Sequence, residues 1–167
     1  MRYRVDVVAA NVIDVVRFAG GWLFDRAMAG WDVTVLVADH ADERPLRILG
    51  AQIIDLEHAL ATVGHRPVPQ TLAAAADLIG CDPRVRQGVL QALDAGATEV
   101  TLWGETWPAE LNDSVGLVHH RLSAAAQAFK AQALAAGSVR EGIGLVETFR
   151  TGVMACPSVA ADLVPAS

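Results

Sequence analysis

The chain has 167 residues, 53% of them hydrophobic, and a formal net charge of −6. That is the size of one domain with its own core, and no apolar run approaches the roughly 18 residues that a membrane helix needs. The acidic balance and the lack of any basic cluster exclude sequence-independent binding to nucleic acid or anionic lipid, since either requires a positive patch.

Val5 to Ala10 is apolar on both faces, as a parallel strand covered by helices on both sides should be. Asn11 suits a helix N-cap, and Asp14 falls in the first turn, where a carboxylate meets the positive end of the helix. Asp14, Arg17, Gly21 and Asp25 recur at three- or four-residue spacing and form a narrow polar stripe. Val12, Val15, Val16, Ala19, Trp22 and Leu23 face elsewhere, so most of this helix is expected to be buried. Each glycine of the Gly20-Gly21 pair costs on the order of 1 kcal/mol of helix propensity relative to alanine, which predicts close packing against a neighbour. Gly30 ends the helix, and Val33 to Ala38 is a second strand stopping at Asp39 and His40, completing a βαβ unit.

A short helix through Pro45 to Leu49, a third strand at Gln52–Leu56 and a loop from Thr62 to Gln70 follow. Helices are expected near Thr71–Ile79 and Pro83–Leu93, with Pro83 at the first helical position. A fourth strand, Glu99–Trp103, opens into Gly104, Glu105, Thr106, Trp107 and Pro108. An alanine-rich helix is expected from Asn112 or Ser114 to Ala136, then a last strand at Ile143–Phe149 and a short edge strand at Val153–Cys156. The expected architecture is a Rossmann-like three-layer α/β sandwich with a mostly parallel five-stranded sheet of order 3-2-1-4-5. It forms a single domain over residues 1–156, with 157–167 a frayed tail. The chain resembles the Rossmann-like group in this cadence alone, and the cadence specifies no activity.

In such a sheet the ligand crevice opens outside the carboxyl ends of strands one and four, where the strand order reverses. That geometry nominates Asn11, Asp39, Gly104, Glu105, Thr106 and Trp107 as ligand-binding residues. Two tryptophans, Trp103 and Trp107, flank a carboxylate and a hydroxyl, and a desolvated Glu105 would have the raised pKa of a general acid. Asp39 and His40 are further acid–base candidates. No GxGxxG, GxxxxGK[ST] or GxSxG is present, and the turn after the first strand has no glycine to wrap a pyrophosphate, so no cofactor is specified.

No metal site is expected. His40, Asp42, Glu57 and His58 lie near strand ends but lack the paired spacing of zinc ligands, and His119 and His120, adjacent on a helix, would point about 100° apart. Cys81 and Cys156 have no CxxC spacing, and the start MRYRVDVV lacks a signal-peptide layout, which places the chain in a reducing cytoplasm. Lys130 is the single lysine among 13 basic residues.

The functional expectation is a cytoplasmic domain that binds a small polar metabolite or nucleotide-like ligand in the strand one/strand four crevice, without redox or phosphoryl-transfer chemistry. Its excess apolar surface points to a homo-oligomer, a dimer or larger. Two alternatives stand beside it. One is an oligomeric scaffold in which the tryptophans and the alanine-rich helix bury a subunit interface. The other is an enzyme using Glu105 or Asp39 with His40 as acid and base.

Overall fold

Strand β1 (Arg4–Asn11) lies inside the sheet with β2 (Asp32–Asp39) on one side and β4 (Thr71–Ala75) on the other, both parallel to it. The computed structural model describes residues 2–62, 64–104, 115–152 and 163–165. Its strands form one sheet of order β3-β2-β1-β4-β5-β7-β6-β8. β3 (Gln52–Asp55) and β5 (Glu99–Trp103) extend the parallel part. β6 (Val115–Arg121), β7 (Val146–Gly152) and the two-residue β8 (Val164–Pro165) are joined through antiparallel pairings.

The expected α/β class is therefore correct, but the sheet is mixed and not a mostly parallel five-stranded one. Two segments account for the difference. Thr71–Ile79 is not one helix: it begins as β4 and turns into α4 (Ala76–Cys81). Its alanines have high helix propensity, but between β1 and β5 small side chains fit a strand packed on both sides, and tertiary context overrides the propensity. The strand inserted there separates β1 from Glu99–Trp103, which the expected order made neighbours. The second segment, Ser114–Ala136, is β6 followed by α6 (Ala124–Ala136), with Ser123 as the N-cap. The last expected strand sits three residues later, as β7, and runs against β5. The edge strand at Val153–Cys156 falls outside the described residues, while Val164 and Pro165, in the segment read as a tail, pair with β6.

Alternation along the strands divides the core. Val5, Val7 and Ala9 of β1 pack with Val33, Val35, Val37, Trp103 and Phe149 under α1 (Val12–Met28), α2 (Arg44–Ile48) and α6. Val8, Leu36, Ala74 and Leu102 face the other layer, α3 (Leu56–Ala61), α4 and α5 (Pro83–Ala95). The expected cap forms: Asn11 Oδ1 accepts the Asp14 N–H at 2.9 Å. The two glycines of α1 do admit a close neighbour. A Cβ on Gly21 would lie 2.3 Å from Leu122, and one on Gly20 would lie 3.2 Å from Leu49.

At the amino ends of β4 and β5, the fully buried Arg26 of α1 donates to Thr71 Oγ1 at 2.8 Å and to Glu99 Oε1 at 3.1 Å. Its guanidinium carbon lies 4.5 Å from the Trp22 ring centre and 4.3 Å from that of Trp31. Among the described residues no helix is long and apolar enough to cross a membrane.

Candidate functional site

β1, β4 and β5 end at one edge of the sheet, and β7, running the other way, begins there. Helices α1 and α4 start directly after β1 and β4, so their unpaired N–H groups and positive dipole ends meet at this edge. Each carries an acid in its first turn, Asp14 and Asp77. These two carboxylates line a cavity of about 460 Å³ whose other walls include Ala75, Trp103, Gly104 and Arg17. Asp14 is oriented by Asn11, whose Nδ2 lies 3.3 Å from its Oδ2. Arg17, one turn further along α1, binds Glu141 through both ends of the guanidinium, with Nε 3.1 Å from Oε2. That contact holds the Glu141 carboxyl below its ordinary range and the Arg17 guanidinium above its own.

Arg17, Phe18 and Gly104 also wall a second cavity, of about 340 Å³, which contains Lys130 and Glu147. The two cavities share these three walls and lie side by side as a trough along the edge. Glu147 is carried inward because it alternates with the core residue Phe149 on β7. Its carboxylate accepts the Gly21 N–H at 2.9 Å and the Trp22 N–H at 2.7 Å. Lys130 Nζ donates to Glu147 Oε2 and to the Arg17 carbonyl, both at 2.7 Å. In a regular helix the Gly21 N–H serves the Arg17 carbonyl; here each also meets a member of the ion pair, so the pair is anchored on the backbone of α1 beside Gly20-Gly21. Burial pushes the Glu147 carboxyl up, against the pull of Lys130.

Of the nominated ligand-binding residues, the structure describes Asn11, Asp39 and Gly104, and it pairs Asn11 with Asp39 across β1 and β2. Asn11 adjoins the trough as the α1 cap, and Gly104, at φ +120° where a Cβ would lie 3.3 Å from Ala76, walls both cavities. Glu105, Thr106 and Trp107 lie outside the described residues. Asp39 is exposed and accepts the Ala41 N–H at 3.2 Å, a turn contact. His40 sits 3.1 Å from Asp55 and 3.7 Å from Glu43. Asp42 goes to Arg44 and Glu57 to Arg84, so neither converges with His40 or His58 on a common point.

The sequence pattern put Asp14 and Arg17 in a narrow polar stripe and did not single out Asp77, Lys130, Glu141 or Glu147 as candidates. One signal was available: the only lysine recurs with Ala126, Ala133 and Leu134 on the buried face of α6. His119 and His120 belong to a strand, not a helix, and His120 is buried with Nε2 2.8 Å from Asp25. The Ser123 hydroxyl donates to the other Asp25 oxygen at 2.5 Å and accepts the Ala126 N–H. Both residues therefore bind the same carboxylate, which clamps α1 to α6. This is not a nucleophile–base pair.

The fold and trough define a mixed-sheet α/β domain with a charge-lined site at the carboxyl edge. No family model matches the chain, and no curated protein matches it in sequence. Solved structures do match. The chain is similar to the A40926 pseudoaglycone deacetylase Dbv21, with 16% identity, a TM-score of 0.62, and coverage of 93% of this chain and 99% of that one. It is also similar to a triple mutant of a deacetylase of teicoplanin biosynthesis (15%, TM-score 0.64, 93% and 100% covered). A third is the zinc-inhibited form of teicoplanin deacetylase Orf2 (15%, TM-score 0.54, 93% and 100% covered). At such identity the likeness is one of fold.

These neighbours overturn the functional expectation. Solved structures that match this chain over nearly its whole length are deacetylases, where the strand cadence pointed to a metabolite-binding Rossmann-like domain, with a scaffold or a Glu105/Asp39/His40 enzyme as alternatives. The cadence misled because βαβ units are common to many doubly wound sheets, and it carries no information on the chemistry of the site.

Zinc appears with one neighbour, so the donor set here matters. A zinc site takes three or four His, Cys or carboxylate ligands. The first cavity offers Asp14 and Asp77 beside a guanidinium, the second holds Glu141 and Glu147 already paired with Arg17 and Lys130, the Asn11 amide is committed to capping α1, and among the described residues no group of three such donors is placed to hold a metal. These residues do not fit a zinc site.

Proposed function

We propose that this chain is a deacetylase-like hydrolase that removes the acetyl group from an N-acetylated amine, with the reaction in the trough at the carboxyl edge of the sheet. The observation that carries the reading is Asp14, oriented by Asn11 in the wall of a ligand-sized cavity, within a fold that deacetylases share over their whole length. Asp14 takes a proton from a water molecule as that water's oxygen attacks the acetyl carbon. The carbon–nitrogen bond then breaks as the proton passes from Asp14 to the departing amine, leaving acetic acid and the amine, which part as acetate and the protonated amine. Asp77 and the two helix N-termini set the polarity around the water, and a cytoplasmic setting is part of the same proposal.

The test is acetate release, followed by proton NMR, from a panel of N-acetylated amino sugars and N-acetylated amino acids. Asp14→Asn retains the shape of the side chain and removes its basicity, and is expected to slow release by about 100-fold or more with an unchanged melting curve. Failure of the wild-type protein to release acetate from any member of the panel rejects the reading.

A further inference from the structure

We propose that Lys130 is the receptor for a neutral acyl carbonyl: its third ammonium N–H takes the oxygen of an acetamido group that enters the cavity between α1, α6 and β7. An ammonium carries three donors. Two of them are fixed, on the Arg17 carbonyl and Glu147, and the third has no partner among the described residues, although Lys130 is only 6% exposed and lines the cavity. The ammonium is also held in place, because its partner Glu147 is itself fixed by the Gly21 and Trp22 N–H groups.

Charge selects the ligand. The cavity wall holds two cations, Arg17 and Lys130, and two carboxylates, Glu141 and Glu147, each cation paired with a carboxylate. An incoming anion is repelled by the carboxylates about as strongly as the cations attract it. A neutral carbonyl meets only a donor waiting for an acceptor, and filling it removes an unpaired buried polar group. The inference rests on the deacetylase reading only where it identifies this carbonyl with the reacting one, whose oxygen becomes negative as water adds and then gains most from the ammonium.

Because Lys130 is the only lysine, protein labelled with nitrogen-15 lysine gives one side-chain Nζ resonance. Titration with N-acetylglucosamine is expected to shift that resonance saturably, whereas glucose, which lacks the acetamido group, and acetate, which is charged, leave it in place. The double variant Lys130→Met/Glu147→Leu replaces the pair with apolar side chains of similar volume, a change that folded proteins tolerate. It is expected to keep the wild-type circular dichroism and to bind N-acetylglucosamine at least tenfold more weakly by calorimetry. A saturable shift without acetate release upholds the carbonyl site and rejects the hydrolase. Acetate release with an Nζ resonance unmoved up to the solubility limit of the sugar upholds the hydrolase and overturns the carbonyl site, as does equal affinity in the double variant.

Discussion

Two buried ion pairs hang from the same helix and do different work. Near its C-terminal end, Arg26 lies between two tryptophan rings and meets Glu99 at a point where both side chains are 1% exposed. Near its middle, Lys130 and Glu147 enter α1 through its own backbone groups and border a cavity. Burying charge costs free energy in both places. The first pair offsets that cost with aromatic faces and neighbouring side chains, and is sealed. The second offsets it with helix backbone and leaves one ammonium N–H without a partner among the described residues, in a lysine that lines a cavity. A buried charge that ends in a cavity wall is a better pointer to a site than one enclosed on every side.

The sharpest way to break this contrast is Glu99→Ala, which removes the counter-charge of Arg26 in the sealed interior. It is expected to cost about 3–5 kcal/mol, read from urea denaturation, and to leave the trough unchanged per folded molecule. Lys130→Met should cost less, on the order of 1.5–3 kcal/mol, because Glu147 keeps two backbone donors and water reaches the cavity. If the two variants cost the same, the pairs are not distinct in kind. Gly21→Ala tests the same contact from the helix side. Its Cβ would collide with Leu122, for about 1–3 kcal/mol of overpacking.

A smaller effect concerns pH. Burial raises the Glu147 carboxyl in the folded chain. Between its unfolded and folded pKa values the folded state therefore retains a proton that the unfolded state has released. Stability from this group is present at low pH and lost as pH rises through the folded value. Glu147→Gln should flatten that part of the profile, measured as urea midpoints across the acid-to-neutral range. Smallest of all is Arg84→Ala. Arg84 reaches Glu57 and Asp82 at 2.8 and 3.0 Å, but all three lie at the surface, and exposed pairs contribute little. The midpoint should not move measurably.

Local physics made much of the fold legible. Cap, dipole and apolar periodicity placed α1 within a residue of its true ends, and the glycine pair announced the close neighbour that Leu122 turned out to be. Legibility failed at Thr71–Ala75 and Val115–Arg121, where helix-favouring alanines adjoin strands whose hydrogen-bond partners lie tens of residues away. The site suffered most, because it draws on those segments: Asp77 begins the helix after the misread β4, and Glu147 points inward only in the register of β7.

The order of the amino acids by itself determined the α/β class and the opening βαβ unit. Both follow from side-chain periodicity and cap chemistry within about 40 residues of chain. Only the tertiary structure decided that the sheet is mixed, that Asp14 and Asp77 line one cavity, and that the lone lysine meets Glu147 against the backbone of α1. Those outcomes depend on which distant strands pair and which buried charges find partners. That competition is settled among the packed elements together, and no single stretch of sequence carries its result.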